Sequence, residues 1–476
     1  MNTYHLNRIL LFCFCLICNQ ILFAQFDKNY TPIVFDGDIP SIFIENPFEN
    51  TEKDVANRNK DVLTKAQSEE FYTLTNCNIS DLFLSGDVYF NDNLTKYVSE
   101  VADKLLRNKI QRQDISVYVT KFDLPNATTW HNGSIFVNIG LLRRLENEAQ
   151  LAFVLAHEMT HFYQKHNLQQ YKKSKHLEES HTQHQAHSDK LFERLKYARE
   201  HEFEADIMGL EFLMTSEYDA REAIRVLEIL GTADVDIYTE NIDLQHFINI
   251  GNYELSDYMI CGEKELKRDS VSFASNRIWI SRKKIEKHQT HPAIEKRIEK
   301  LNILLEKYDA KGKKKQLLHT PFSQIRQQAA FELLENYMIE GDYVRGLYEA
   351  LRLMEQFPQN LYLNETAARS VYWLAHYKKN SSLHNILPNS DVYYQQAYGN
   401  FLCTLNQLTT YDYLSLAMEF IEAKYHTFSE NENLLILKAR VLELNSRFHE
   451  AHFLYKTYIK NYPNGKHFIF AKNKAS

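Results

Sequence analysis

Hydrophobic spacing divides the chain into a short run of mixed elements and a long helical remainder. In residues 91–108, Leu94, Val98, Val101, Ala102 and Leu105 recur at the spacing of one helix face, which predicts an amphipathic helix. Residues 115–122 (ISVYVTKF) alternate and are β-branched or aromatic, which predicts a strand. The pair Asn132 and Gly133 is a turn signal ahead of a second strand over 133–138. Asn147, with Gln150 three residues on, opens a helix over 148–165 that is apolar almost all round. Residues 25–80, with Pro32, Pro40 and Pro47 among many Asn, Asp and Glu, read as a loosely structured lead-in.

Two C-terminal stretches, 329–360 and 433–465, share one plan of helix, short polar turn, helix and proline. In a 34-residue frame the first carries Tyr337, Gly346, Ala350 and Pro358 at positions 11, 20, 24 and 32, and the second Ala439, Ala451, Tyr455 and Pro463 at 8, 20, 24 and 32. These offsets resemble tetratricopeptide repeats, in which small residues let two helices cross closely. Degenerate helical segments lie between the two copies.

Composition narrows the class. A chain of 476 residues exceeds one ordinary domain, and 44% hydrophobic with 25% charged residues fits a globular protein. A formal net charge of −7 gives no field favouring nucleic acid, and the lysine run 311–315 reads as a solvated linker. Arg8 precedes an apolar run that ends at Ala24, which predicts a secretory signal peptide over 1–24. The expected location is exported, the periplasm first and the extracellular space as the alternative. No later segment offers the roughly 18 apolar residues of a spanning helix. No transmembrane segment is therefore expected in the mature chain, and peripheral membrane association stays open. Cys77, Cys261 and Cys403 remain after the leader; they read as buried thiols, with one bridge as the alternative.

His157 and His161 stand four apart in the apolar helix, with Glu158 between them. On a helix both imidazoles share one face, and burying them with a carboxylate and no partner is costly. Zinc held at about 2.0–2.1 Å would supply that partner, and Glu158 beside it could take a proton from an attacking water. A third ligand is available on the segment 199–213, where Glu202 and Asp206 are also four apart. Glu202 suits the ligand position and Asp206 a hydrogen bond to a ligand histidine. Glu204 reads as a solvated charge. The tract with His176, His181, His184 and His187 reads as a solvated helix or flap rather than a second metal site.

The segments HEMTH, EFEAD and THPAIEKRI, in that order, together resemble the HtpX and CAAX-prenyl-endopeptidase family of zinc metallopeptidases over residues 84–305. The resemblance implies one Zn2+ per chain on His157, His161 and Glu202, with Glu158 as general base. It places His291 near the metal, either capping it as a fourth ligand or supporting the reaction. Arg297, in the same motif, joins Asp206 among the residues that support the ligands. Thr160 stands where the family usually has a smaller residue.

The expected fold is mainly α: a zincin-like metallopeptidase domain with a small β-sheet over 81–310, then a tetratricopeptide-repeat array over 320–470. Leader, peptidase and repeats together are similar to exported members of that family. That similarity implies a metalloendopeptidase acting on unfolded or misassembled envelope proteins. Outer-membrane proteins and their assembly machinery are then the expected substrates and partners, and nucleic acid is not. The rival reading is a chaperone or adaptor with a latent or vestigial metal site. The strand 133–138 is expected to be an edge strand that pairs with extended substrate.

Overall fold

The computed structural model describes residues 26–34, 39–40, 47–57, 63–106, 114–179, 187–231, 294–307, 322–385, 387, 397–428 and 431–476. They are mostly helical with one small mixed sheet. They form two compact units, one holding the described residues of 33–233 and 278–333, the other those up to 32 and from 334 on.

The first unit opens with helices α1 (Pro47–Ala56) and α2 (Lys65–Leu84), in the stretch expected to be loosely structured. The apolar residues of α2 form no clean stripe, so spacing alone misses it. Its start is nevertheless written in the sequence: Thr64 accepts from the Gln67 N–H at 3.2 Å while the Gln67 side chain accepts from the Thr64 N–H at 3.1 Å. This reciprocal cap satisfies donors that every helix start leaves open.

Strands β1 (Val88–Tyr89), β2 (Ser116–Thr120), β3 (Ala127–Thr129) and β4 (Ser134–Asn138) form one sheet in the order β1-β2-β4-β3. Helix α3 (Asn93–Leu106) buries all five of its periodic apolar residues and packs on β2. The turn before β4 needs its glycine. Gly133 has φ +80°, and a Cβ there would lie 1.8 Å from the Asp114 carbonyl oxygen. Strand β4 pairs with β2 on one side and β3 on the other, which corrects the expectation that it is an edge strand. All five of its residues are buried, as befits a central strand with Ile135, Phe136 and Val137 at its middle. The edge on that side is β3, which lacks an apolar run and so gave no strand signal of its own.

A short helix α4 (Ile139–Leu142) leads to α5 (Glu148–Tyr163), which lies against β3, α3 and α7 (His187–Thr215). Asn147 caps α5 by accepting from the Gln150 N–H at 3.0 Å. The Gln150 side chain reaches one residue past the cap, to the Glu146 N–H at 2.7 Å. Glu148 anchors the first turn, accepting from Tyr97 at 2.5 Å, Tyr218 at 2.7 Å and Lys104 at 2.7 Å. The helix stops at Tyr163, two residues short of expectation, and Lys165 at φ +55° turns the chain into α6 (His166–Glu179). Helices α8 (Glu222–Gly231) and α9 (Ile294–Lys307) complete the described part of this unit, together with the start of α10 (Phe322–Glu340).

The second unit is built of helices α11 (Tyr343–Gln356), α12 (Leu361–Lys379), α13 (Ala397–Gln407), α14 (Thr410–Thr427), α15 (Glu432–Leu444), α16 (Phe448–Asn461) and α17 (Phe468–Ala475). Neighbours in sequence pack on each other, as in α11 on α12 and α15 on α16. Gly346, Ala350, Ala439, Ala451 and Tyr455, the small and aromatic residues of the two copies, are all buried. A Cβ on Gly346 would lie 2.6 Å from the Met338 sulfur, so a larger residue there would make that flexible side chain shift. Phe26 and Tyr30 stack on each other and pack against Phe357 and Tyr362, and the Asn360 amide donates to the Phe26 carbonyl at 2.6 Å. Cys77 is a half-buried free thiol and Cys403 is disulfide-bonded, which corrects the reading of three buried thiols. No helix among the described residues is long and apolar enough to cross a membrane.

Candidate metal centre

Two helices bring the polar groups together. On α7, Glu202, Asp206 and Gly209 follow at four and three residues, and so share one face. Gly209 lets that face close on α5: a Cβ there would lie 3.1 Å from the backbone nitrogen of His157. Glu202 and Asp206 are thereby carried up to His157 and His161.

The Nε2 atoms of His157 and His161 are 3.1 Å apart. Glu202 places one carboxylate oxygen 3.5 Å from His161 Nε2 and the other 3.7 Å from His157 Nε2. One ligand atom from each of the three residues lies within 4.8 Å of the others. A tetrahedral ion at the usual zinc–nitrogen distance would set its ligands about 3.3 Å apart, so the spacing fits. The protonation pattern fits as well. Asp206 is ionised and only accepts, so the Nδ1 of His157 facing it at 3.1 Å carries a proton, although the approach is bent. In the neutral ring, the Nε2 lone pair then points at the other histidine. With Nδ1 of His157 facing Asp206 and Nδ1 of His161 facing His166, the two Nε2 atoms face each other, and either a shared proton or a metal cation fits between them.

The surrounding charge favours a cation at this point. Burial works to raise the Asp206 carboxyl, but the Arg297 guanidinium and His157 outweigh it and hold it below its ordinary value. Arg297, on α9, grips Asp206 through two bonds of 2.6 Å, with both side chains almost fully buried. Burial pushes His157 down, and the carboxylates of Asp206, Glu202 and Glu158 reverse the sign, so it rises overall. Burial and the neighbouring His157 push His161 down to about 3, which leaves it neutral and able to ligate across the working pH range.

Glu158 is held from the sheet side. The Thr129 hydroxyl, on β3, lies 2.7 Å from the Glu158 carboxylate and 2.9 Å from its carbonyl oxygen. Because Thr129 orients the carboxylate without touching the candidate metal ligands, Thr129→Val should lower the rate of any hydrolysis that uses Glu158 as base by about tenfold, the worth of one hydrogen bond to a charged group. Zinc content should not change. Steady-state kinetics beside metal analysis checks this, and an unaltered kcat would remove Thr129 from the account.

Sequence reasoning also missed His166 and His201. His166 Nδ1 lies 2.9 Å from His161 Nδ1, its Nε2 lies 3.2 Å from Glu204, and its ring stacks on His201 at 4.1 Å. Glu204, expected to be only a solvated charge, therefore faces a chain that ends on a candidate ligand histidine. The one available signal was the position of His166, five residues after His161. His291 lies outside the described residues, as do His181 and His184; His176 is exposed on α6.

Residues 91–304 match the model of peptidase family M48. Over that stretch the chain is similar to the M48 metallopeptidases. Within the chain, 83 residues are 31% identical to the β-barrel assembly-enhancing protease of Yersinia pestis. The match covers 17% of this chain and 17% of that relative.

Proposed function

We propose that the chain is an exported, zinc-dependent endopeptidase that cuts unfolded or misassembled envelope proteins. The observation that carries this reading is the convergence of His157, His161 and Glu202 at tetrahedral spacing beside a buried, oriented Glu158. In this reading the three residues hold one zinc ion. When bound, zinc acts as a Lewis acid and lowers the pKa of water. Glu158, fixed by Thr129, takes the proton of the attacking water and returns it to the departing amine nitrogen. Asp206 and Arg297 keep the His157 ring turned for ligation.

Substrate is proposed to lie along β3. Residues 126, 128 and 130 face β4, as the bonds Asn138 N–H to Asn126 O and Trp130 N–H to Ser134 O fix. The backbone of Ala127 and Thr129 therefore faces the outer edge; the Thr129 carbonyl accepts there from the Asn167 amide at 2.7 Å, and an extended peptide would add as a strand beside Ala127 with little sequence selectivity. The relative's name concerns β-barrel assembly, and by that likeness misassembled outer-membrane proteins and their assembly machinery are the proposed clients. The C-terminal helical hairpins are assigned as tetratricopeptide repeats that dock them. The Cys403 disulfide supports an oxidising, exported compartment.

Unfolded casein and a compact folded protein, offered to the zinc-loaded chain, test the reading. Casein should be cut at least about tenfold faster, since only an extended segment can add to a strand edge. Absence of cleavage with zinc bound would favour a chaperone or adaptor with a latent site. A His291→Ala chain then separates that residue's two roles: faster cleavage marks a cap on the metal, slower cleavage a part in the reaction.

A further inference from the structure

The second unit carries a cluster of charge and aromatic rings that the proteolytic chemistry does not use. Arg369, Trp373, His376 and Asn380 follow Glu365 at helical spacing along one face of α12. Tyr343 of α11 stacks on Trp373 with ring centroids 5.4 Å apart, and Tyr377 lies 6.1 Å from the same ring. Arg440, reaching across from α15, has its guanidinium 4.6 Å from the Tyr372 ring, 5.2 Å from Trp373 and 5.5 Å from Phe470. Trp373, Tyr343, Tyr377, Phe470 and Arg440 are each half-buried, so the cluster is packed and still reachable.

The positive charge there has little to balance it. Arg440 has no carboxylate partner among the described residues. Arg369 comes no closer than 3.9 Å to Glu335, a carboxylate that already accepts from Tyr362 at 2.7 Å, and its Nε is buried without a hydrogen bond. Burial, with Tyr377 beside it, pushes the Tyr343 hydroxyl up, while the charges of Arg369 and Arg440 both pull it down. Both guanidinium groups therefore bear on that ring. Half-burying a guanidinium without an anion is unfavourable, and Trp, Tyr and Arg packed together are the composition of binding hot spots.

We propose that this face binds an extended acidic peptide, one carboxylate side chain pairing with Arg440 and a neighbouring aromatic side chain packing on Trp373 and Tyr343. A guanidinium packed among rings and without a carboxylate partner can still offer the two parallel bonds that a carboxylate accepts. The stripe from Glu365 to Asn380 spans about 22 Å of helix. A bound chain thus runs along it and presents an internal side chain instead of ending there. The proposal does not depend on the metal centre.

The test uses the full chain carrying Glu158→Gln, so that no peptide is cut, and a fluorescein-labelled nonapeptide of alternating Glu and Tyr, acetylated and amidated at its ends. Anisotropy should show this peptide binding at least about tenfold tighter than its Gln–Tyr counterpart, the worth of one charge-assisted pair. Arg440→Gln should remove that preference. Arg369→Gln, at a more exposed position, should weaken it severalfold, and melting curves of both variants establish that they fold. Equal binding of the two peptides, no binding of either, or a preference untouched by both substitutions would overturn the proposal. So would tight binding of a Gln–Tyr peptide with a free C-terminal carboxylate, which would make the face a clamp for chain ends.

Discussion

Glu158→Gln should lower peptide hydrolysis by at least about a thousandfold, within the range that general-base catalysis supplies, and leave bound zinc unchanged. The substitution is nearly isosteric. The amide oxygen of Gln can still accept from the Thr129 hydroxyl, which now lies 2.7 Å from the carboxylate, so the side chain stays in place. What it loses is the capacity to take and return a proton. His157, His161 and Glu202 are untouched, and their spacing is set by α5 and α7, not by Glu158. Turnover of unfolded casein, followed beside metal content in both proteins, checks the pair of statements. Equal activity in the two would remove Glu158 from the reaction.

Arg297→Met should have the second largest effect, on stability and metal affinity together. Arg297 and Asp206 are joined by two bonds of 2.6 Å in a site with almost no exposure. Removing the guanidinium leaves a buried carboxylate beside His157 without its main partner, a loss of about 3–5 kcal/mol. For a unit of this size each kcal/mol lowers Tm by about 2–4 °C. Because Asp206 also orients His157, zinc affinity should fall about 10- to 100-fold. The pair gives a defined pH signature. The Asp206 carboxyl is held below its ordinary value, so its contribution is complete above the unfolded carboxylate pKa of about 3.9 and is lost as pH falls through the folded value. Denaturant unfolding should show the cost of Arg297→Met in full at neutral pH and reduced at pH 3. A cost independent of pH would mean that the pair is not ionised as described.

Much of this was legible in the sequence, and the reasons differ from residue to residue. His157, His161, Glu202 and Asp206 could be paired because helical spacing alone puts each pair on one face. Their meeting depends on α5 and α7 touching, and Gly209, which permits the contact, carries no signal when read by itself. Asp206 and Arg297 are 91 residues apart, and spacing cannot align them; the motif order did. Strand β3 escaped because ATT is too short and too polar to register as a strand, and without it β4 looked like an edge. Thr129 was hidden for the same reason. Helix α2 has a readable cap and no readable stripe, so a reading led by hydrophobic period passed over it. The cluster around Arg440 draws on α11, α12, α15 and α17, and spacing within any one helix cannot bring them together.

The most direct test of the account is anomalous diffraction at the zinc edge from crystals of the full chain carrying Glu158→Gln. The account predicts one strong peak per chain, about 2.0–2.1 Å from Nε2 of both His157 and His161 and from a carboxylate oxygen of Glu202. Zinc present in the crystals but seated elsewhere, such as on the histidines between His176 and His187, with these three residues bare, would contradict it.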